Sequence, residues 1–424
     1  MHNSVNAEFS GSPEKKNFNR FDNRWVWTLF GTAVGAGILF LPIRAGTGGF
    51  WPIVLMCFLI FPMTWLSHRA LARFVNSSKE SGQDITKVVE EHFGISWGFL
   101  ITILYFFAIY PICLAYGVGI TNTFDSFLVN QLGLPQMPRF ALAFVLVSVL
   151  MGMTIFLSEE LITKICEFLV YPLCFILFAF SLYLIPNWKM EVLHYVPDAK
   201  EFLIVIWLTL PVLVFSFNHS PVSSTFAQAV EREYGEDKNY KTNQIEFFAS
   251  IALLGFVMLF VFSCTMCLSG DDFKAAREAN IPILSYFANK MDNPIISYAG
   301  PVVAFLAIVT SFFGHYYGAA EGLNGIIRKT SKNMGNELSR KTIIGMTSVF
   351  MYVTIILIAY INPSILGFIE DLGGPIIAAI LFIMPMVAFY TIPELKYIKN
   401  GYADAYVFIM GCLTILSIIV KMLA

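Results

Sequence analysis

Two stretches of this chain combine helix-breaking residues with small polar ones. The first reads Gly31-Thr-Ala-Val-Gly-Ala-Gly-Ile-Leu-Phe-Leu-Pro42 and the second Pro211-Val-Leu-Val-Phe-Ser-Phe-Asn-His-Ser-Pro221. Glycine weakens a helix by about 1 kcal/mol relative to Ala and proline by more, so both stretches are expected to unwind. Unwound backbone offers amide donors and carbonyl acceptors together, which can hold a zwitterion without burying a fixed charge. The amides of Gly35, Ala36, Gly37 and Ile38 would head a half-helix, where the dipole favours an anion such as a carboxylate. The carbonyls of Ala33, Phe215 and Ser216 would end half-helices and suit an ammonium. Ser216, Asn218, His219 and Ser220 offer hydrogen bonds to a small hydroxylated side chain, or cap the broken backbone.

Other residues with chemical potential are fewer. Tyr105, Tyr110 and Tyr116 share one apolar segment, and one of them, Tyr110 for example, could close over a bound molecule or serve as packing. Ionisable groups inside apolar segments are functional candidates because insertion costs about 2.5–3.5 kcal/mol each. Glu321 is a candidate proton acceptor, or an ion-pair partner for Arg328; His315 on the same segment faces elsewhere. Glu370 and Asp371 precede a Gly373-Gly-Pro375 kink and either gate a vestibule or mark a helix entry. Cys264-Thr-Met-Cys267 has metal or redox spacing but no companion pair, so core packing is the expected role. Phosphate loop, nucleophile elbow and zinc-helix motifs are absent, so no enzyme activity is expected.

The elements that must position these groups follow from composition. Of 424 residues, 27 are Lys or Arg and 29 Asp or Glu, and 57% are hydrophobic. A soluble protein carries about 25% charge, so a soluble enzyme is nearly excluded, and a net charge of −2 gives no basic face for nucleic acid. With about 20 apolar residues per bilayer crossing, the chain reads as an all-α membrane protein of eleven spans. They fall near 25–46, 50–75, 98–126, 139–158, 162–186, 202–229, 246–269, 295–327, 342–361, 364–391 and 403–423. Residues 1–23 read as a disordered cytoplasmic tail, 81–93 as an amphipathic surface helix capped by Ser81 or Asp84, and Ile283 to Asn289 as a short helix on the outer face. Alternating the spans from a cytoplasmic N-terminus leaves 19 Lys and Arg inside and eight outside, which places the C-terminus outside.

The two broken segments are spans 1 and 6, each the first of a five-span set. Interrupted helices in corresponding halves point to an inverted-repeat secondary transporter with a site near the membrane midplane. The expected organisation is a first repeat at 24–186, a second at 202–391 and an accessory helix at 403–423.

Gly35-Ala-Gly37-Ile-Leu-Phe-Leu-Pro42, Val214-Phe-Ser-Phe-Asn-His-Ser-Pro221, Thr310-Ser-Phe-Phe-Gly-His315 with Gly318-Ala-Ala-Glu321-Gly, and Gly373-Gly-Pro-Ile-Ile-Ala-Ala-Ile-Leu-Phe-Ile-Met-Pro385 together resemble the bacterial hydroxy/aromatic amino acid permeases. The Phe-Ser-Phe-Asn-His-Ser-Pro stretch is similar to the serine and threonine branch. The resemblance covers roughly residues 22–423 and implies the inner membrane, the leucine-transporter fold, and symport of an amino acid with protons. It also implies that Lys164, which otherwise reads as an ordinary positive-inside anchor near the cytoplasmic start of its span, stands where some proton-driven members place an ammonium instead of sodium, and that Thr310 and Ser311 match a sodium-ligating hydroxyl pair. The expected activity is therefore import of serine, threonine or a close analogue, with the proton as coupling ion, sodium less favoured, and no cofactor or metal. An aromatic amino acid permease, a sodium symporter and a non-transporting sensor or channel remain alternatives, and oligomeric state is open.

Overall fold

The computed structural model describes residues 17–423, all in helices and their connections. The first helix, α1 (Arg20–Ala33), starts earlier than the expected tail allows. Asn19 and Asp22 form a reciprocal capping box there, which satisfies the first free amides. The rest of the expected tail, residues 1–16, lies outside the described residues. After α1 the axis bends by 59° into α2 (Ala36–Ala45), then α3 (Phe50–Val75) follows.

Helix α4 (Ile85–Asn130) joins the expected surface helix to the third apolar segment across a kink at Gly94, whose φ of 78° suits glycine. Asp84 caps it, its side chain accepting the Lys87 amide. Next come α5 (Arg139–Phe156), α6 (Glu159–Leu184), α7 (Ala199–Ser216), α8 (Ser223–Tyr234) and α9 (Lys238–Cys267). Two short helices, α10 (Gly270–Glu278) and α11 (Ile283–Lys290), lead into α12 (Pro294–Asn333) and α13 (Arg340–Ile361). Residues Ile365–Thr391 wind through two π-helical turns, Ile369–Gly373 and Ala379–Ile383, and α14 (Gly401–Leu423) closes the fold.

Among the described residues, nine helical stretches are long and apolar enough to cross a membrane, ten if the bent α1–α2 pair is included. One of them, Ala199–Cys267, runs through 69 residues and contains α7, α8 and α9. Such a length exceeds a single crossing of about 20 residues. Side chains such as Phe58, Phe156, Phe168 and Phe175 are 73%, 86%, 73% and 72% exposed, which is unfavourable in water and suits a lipid-facing surface.

The helices pack in two groups that position the site. In one, α9 lies against α1, α3 and α8, and α2 lies against α7. In the other, α12 lies along α4, and α13 contacts α4 and α5. Small residues set the closeness of the second group: a Cβ on Gly322 would sit 3.0 Å from Phe106 Cα, and one on Gly117 would sit 2.5 Å from Ile355 Cγ2.

Candidate functional site

Both expected breaks are present. Val34 and Gly35 leave helical geometry, Gly35 at φ −148° and ψ −152°. Phe217 and His219 do the same between α7 and a short turn at Ser220–Val222. The first amides of α2 and the last carbonyls of α1 and α7 therefore lack partners within their helices. The breaks abut, since a Cβ on Gly37 would lie 2.8 Å from Ser216 Cα and 2.7 Å from the Phe215 ring. Backbone of one half-helix thus faces backbone of the other, and only glycine leaves that space open.

Side chains from α4 and α12 complete the first break. The Tyr116 hydroxyl is 2.7 Å from Ser311 Oγ, and Ser311 Oγ reaches the Thr32 carbonyl at 3.2 Å. His315 places Nδ1 2.8 Å from the Ser311 carbonyl and meets the Tyr116 ring edge-on at 5.3 Å. Ser216 Oγ and Asn218 Nδ2 are buried at the second break without a protein partner. Buried polar atoms in that state are costly, so hydroxyl- or carboxylate-bearing ligands are favoured there.

The structure distributes the other candidates as follows. Asn218 Oδ1 accepts the Ser220 amide at 3.1 Å and so caps the broken backbone. His219 turns its ring toward α3 and α9, stacking on His68 with centroids 3.6 Å apart and placing Nε2 2.8 Å from Glu246 Oε2. Tyr110 stacks on Phe106 at 4.7 Å and leans on Phe350 of α13 at 5.5 Å, so Tyr116 is the tyrosine of this helix that reaches the break. Thr310 directs its hydroxyl to the Leu306 and Ala307 carbonyls of its own helix, at 2.9 and 3.3 Å. Sequence reasoning singled out neither His68 nor Glu246. Both were legible as ionisable residues in apolar segments, but which way each faces was not.

A cavity of about 1690 Å³ runs from a rim carrying Arg24 and Arg340 to Thr32 and Thr310 beside the first break and Pro221 beside the second. Lys164 and Glu321 both line it, and Glu321 accepts a hydrogen bond from Ser224 Oγ at 3.2 Å. The far end of the bundle is closed by charge. Glu370, 4% exposed, takes both Arg277 nitrogens at 3.1 and 2.8 Å, Lys421 Nζ at 3.0 Å, and has Arg44 Nε at 3.6 Å. Lys421 also pairs with Asp371 at 2.5 Å. Arg277 and Lys421 are about a third exposed, so solvent screens part of this clasp.

This arrangement makes a specific demand on Glu370. With Glu370→Gln, the closed far face should weaken by roughly 1–2 kcal/mol after discounting for exposure. Hydrogen exchange across Ile365–Gly373 should quicken about tenfold; unchanged exchange there would show that the clasp does not hold that end shut.

A model of the tryptophan/tyrosine permease family matches residues 26–420. The chain belongs to that family. Among curated proteins, the serine transporter SdaC of Escherichia coli strain K12 is 44% identical, covering 99% of each chain. The threonine/serine transporter TdcC of Yersinia enterocolitica is 40% identical, covering 97% of this chain and 98% of its own. Among solved structures, MhsT in complex with L-phenylalanine aligns with a TM-score of 0.57 at 15% identity, covering 96% and 98% of the two chains. The Eremococcus coleocola manganese transporter in complex with an aromatic bis-isothiourea substituted compound aligns with a TM-score of 0.59 at 13% identity, covering 98% of this chain and 89% of its own. These likenesses set the permease in a transporter fold, and its family is one of permeases and not of enzymes.

Proposed function

We propose that this permease imports serine or threonine across the bacterial inner membrane by proton symport. The observation that carries the reading is the abutment of the two breaks at Gly37 and Ser216, next to the Tyr116 and Ser311 hydroxyls. The amides of Gly35 to Ile38 receive the carboxylate, the carbonyls of Ala33, Phe215 and Ser216 receive the ammonium, and Ser216, Asn218 and Ser220 serve the side-chain hydroxyl. Full-length identity of 44% and 40% to proteins named as serine and threonine/serine transporters supports that substrate class.

The proposed topology has eleven spans, with α7 and α8 forming the sixth and α9 the seventh. Residues 24–186 and 202–391 are the two five-helix repeats and 403–423 the accessory helix. The N-terminus is cytoplasmic and the C-terminus periplasmic. The cavity rimmed by Arg24 and Arg340 then faces the cytoplasm while the Glu370 clasp shuts the outside. Transport alternates as α1, α2, α3, α7, α8 and α9 rock against α4, α5, α12 and α13. One proton per neutral substrate carries net charge inward, worth about 2.3 kcal/mol per 100 mV.

The test is uptake of a panel of labelled amino acids into proteoliposomes under imposed pH or sodium gradients. Serine and threonine should accumulate when the pH gradient is present. Accumulation driven by sodium alone, or preference for tryptophan and tyrosine, would overturn the proposal.

A further inference from the structure

His68, His219 and Glu246 form a sealed titratable cluster that the substrate geometry leaves unused. They are 1%, 0% and 0% exposed and come from three places: α3, the second break and α9. The hydrogen bonds define much of their protonation. His68 Nε2 receives the His219 backbone amide at 3.1 Å and so carries no proton. Its Nδ1 lies 2.9 Å from the Thr64 carbonyl, which can only accept, so Nδ1 carries the proton. His68 is therefore a neutral imidazole, and its ring stacks on that of His219 with centroids 3.6 Å apart.

The His219–Glu246 contact is different. At 2.8 Å, Nε2 and Oε2 must share a proton. With that single proton the pair bears one negative charge; with a second it is neutral, and both states keep the contact. The second proton has two places to land: Glu246 Oε1, which is buried without a partner, and the His219 ring, which has the Phe217 backbone as a hydrogen-bond partner.

Charged groups on the surrounding elements are committed elsewhere. On α3, Arg69 donates to Asn243 at 3.0 Å, and it and Arg73 lie toward Asp404 of α14. On α9, Lys241 is bound by Asp22 of α1. On α8, Tyr234 donates to Asp22 and Glu231 pairs with Lys238. On α12, His315 is held at Ser311. The structure gives Glu246 the two histidines as ionisable neighbours, of which His68 is neutral. An anionic pair in this place is uncompensated, which favours taking up one proton and makes its release depend on access to solvent.

We propose that the His219–Glu246 pair carries the coupling proton, with His68 as the positioning residue that holds the broken backbone against it. A proton entering from one face adds to the His219 ring or Glu246 Oε1, turns the pair from singly negative to neutral, and leaves to the other face after the helices rock. The link to substrate is short. His219 holds the proton through its ring and anchors the second break through its amide, so a change in the pair reaches the backbone that faces Gly37.

The proposal rests on the proton-symport reading above, and the experiment separates the two. Wild type, Glu246→Gln, Glu246→Asp and His219→Gln are reconstituted in proteoliposomes. Each is scored for serine accumulation under a one-unit pH gradient and for serine counterflow with no gradient. One coupled proton gives wild type about tenfold accumulation. Glu246→Gln and His219→Gln should lose that accumulation while counterflow persists, and Glu246→Asp should keep both. Retention of about tenfold accumulation by both neutral variants overturns the proposal. If Glu246→Gln lacks counterflow through misfolding, His219→Gln carries the decision alone by the same criterion. Sodium-driven accumulation in wild type with no response to pH would instead overturn the symport reading, and this proposal with it.

Discussion

Replacing Gly35 with Val should abolish serine uptake. A Cβ at Gly35 would sit 2.3 Å from Ser311 Oγ, 2.4 Å from Ser311 Cβ and 2.8 Å from the Tyr116 hydroxyl. Ser311 cannot step aside freely, because its hydroxyl is tied to the Thr32 carbonyl and to Tyr116. Even one added methyl overpacks this contact, and overpacking costs about 1–3 kcal/mol. The larger branched side chain also pushes the start of α2, whose amides are expected to hold the carboxylate, away from Ser311 and Tyr116. Uptake and counterflow should both fall roughly 100-fold, the equivalent of about 3 kcal/mol, with Gly35→Ala intermediate. A Cβ added to Gly255 on α9 would meet nothing within 4 Å, so Gly255→Ala should leave uptake unchanged. Near-normal uptake by Gly35→Val would remove the first break from the binding site.

Breaking the Asp22–Lys241 pair should unfasten α1 from its neighbours. Lys241 Nζ is 2.6 Å from Asp22 Oδ2, both side chains are 0% exposed, and Tyr234 donates to the other carboxylate oxygen at 2.6 Å. Removing one partner strands a buried charge, which costs about 3–5 kcal/mol. Lys241→Met should therefore lower thermal stability in detergent markedly and raise hydrogen exchange through α1. The Asp22→Asn, Lys241→Met double variant leaves neither charge alone and should recover a large part of the loss. A double variant no more stable than Lys241→Met would show that the pair does not act as a unit. Because the pair ties α1 to α9, and Tyr234 adds α8, it also keeps three of the helices proposed to rock moving together.

Much of the scaffold was legible from local chemistry. Apolar runs predicted where helices lie, and of the two caps expected for the 81–93 helix, Asp84 is the one that starts it. Gly35 and the Pro211 to Pro221 stretch predicted the two interruptions. The short helix expected from Ile283 to Asn289 appears as Ile283–Lys290. Less legible was the start of α1, where a capping box overrides the polar look of the preceding tail. The third segment's tyrosines were ambiguous for a related reason: Tyr110 and Tyr116 lie on the same helix, but their facing depends on which helices surround it.

By itself the sequence determined what depends on neighbours a few residues away: apolar length, helix caps, and the two places where glycine and proline prevent a regular helix. Tertiary structure alone decided which interrupted backbone meets which side chain. Ser311 reaches Thr32 across 279 positions, His219 meets His68 across 151, and Lys421 meets Asp371 across 50. Hydrophobic periodicity reports how deep a residue sits in an apolar run, but rotation and partner are set by packing between helices. That is why Glu246, at the edge of an apolar run, carried no signal of its own in the sequence, and why its buried pairing with a histidine emerged only once α3, α9 and the second break were brought together.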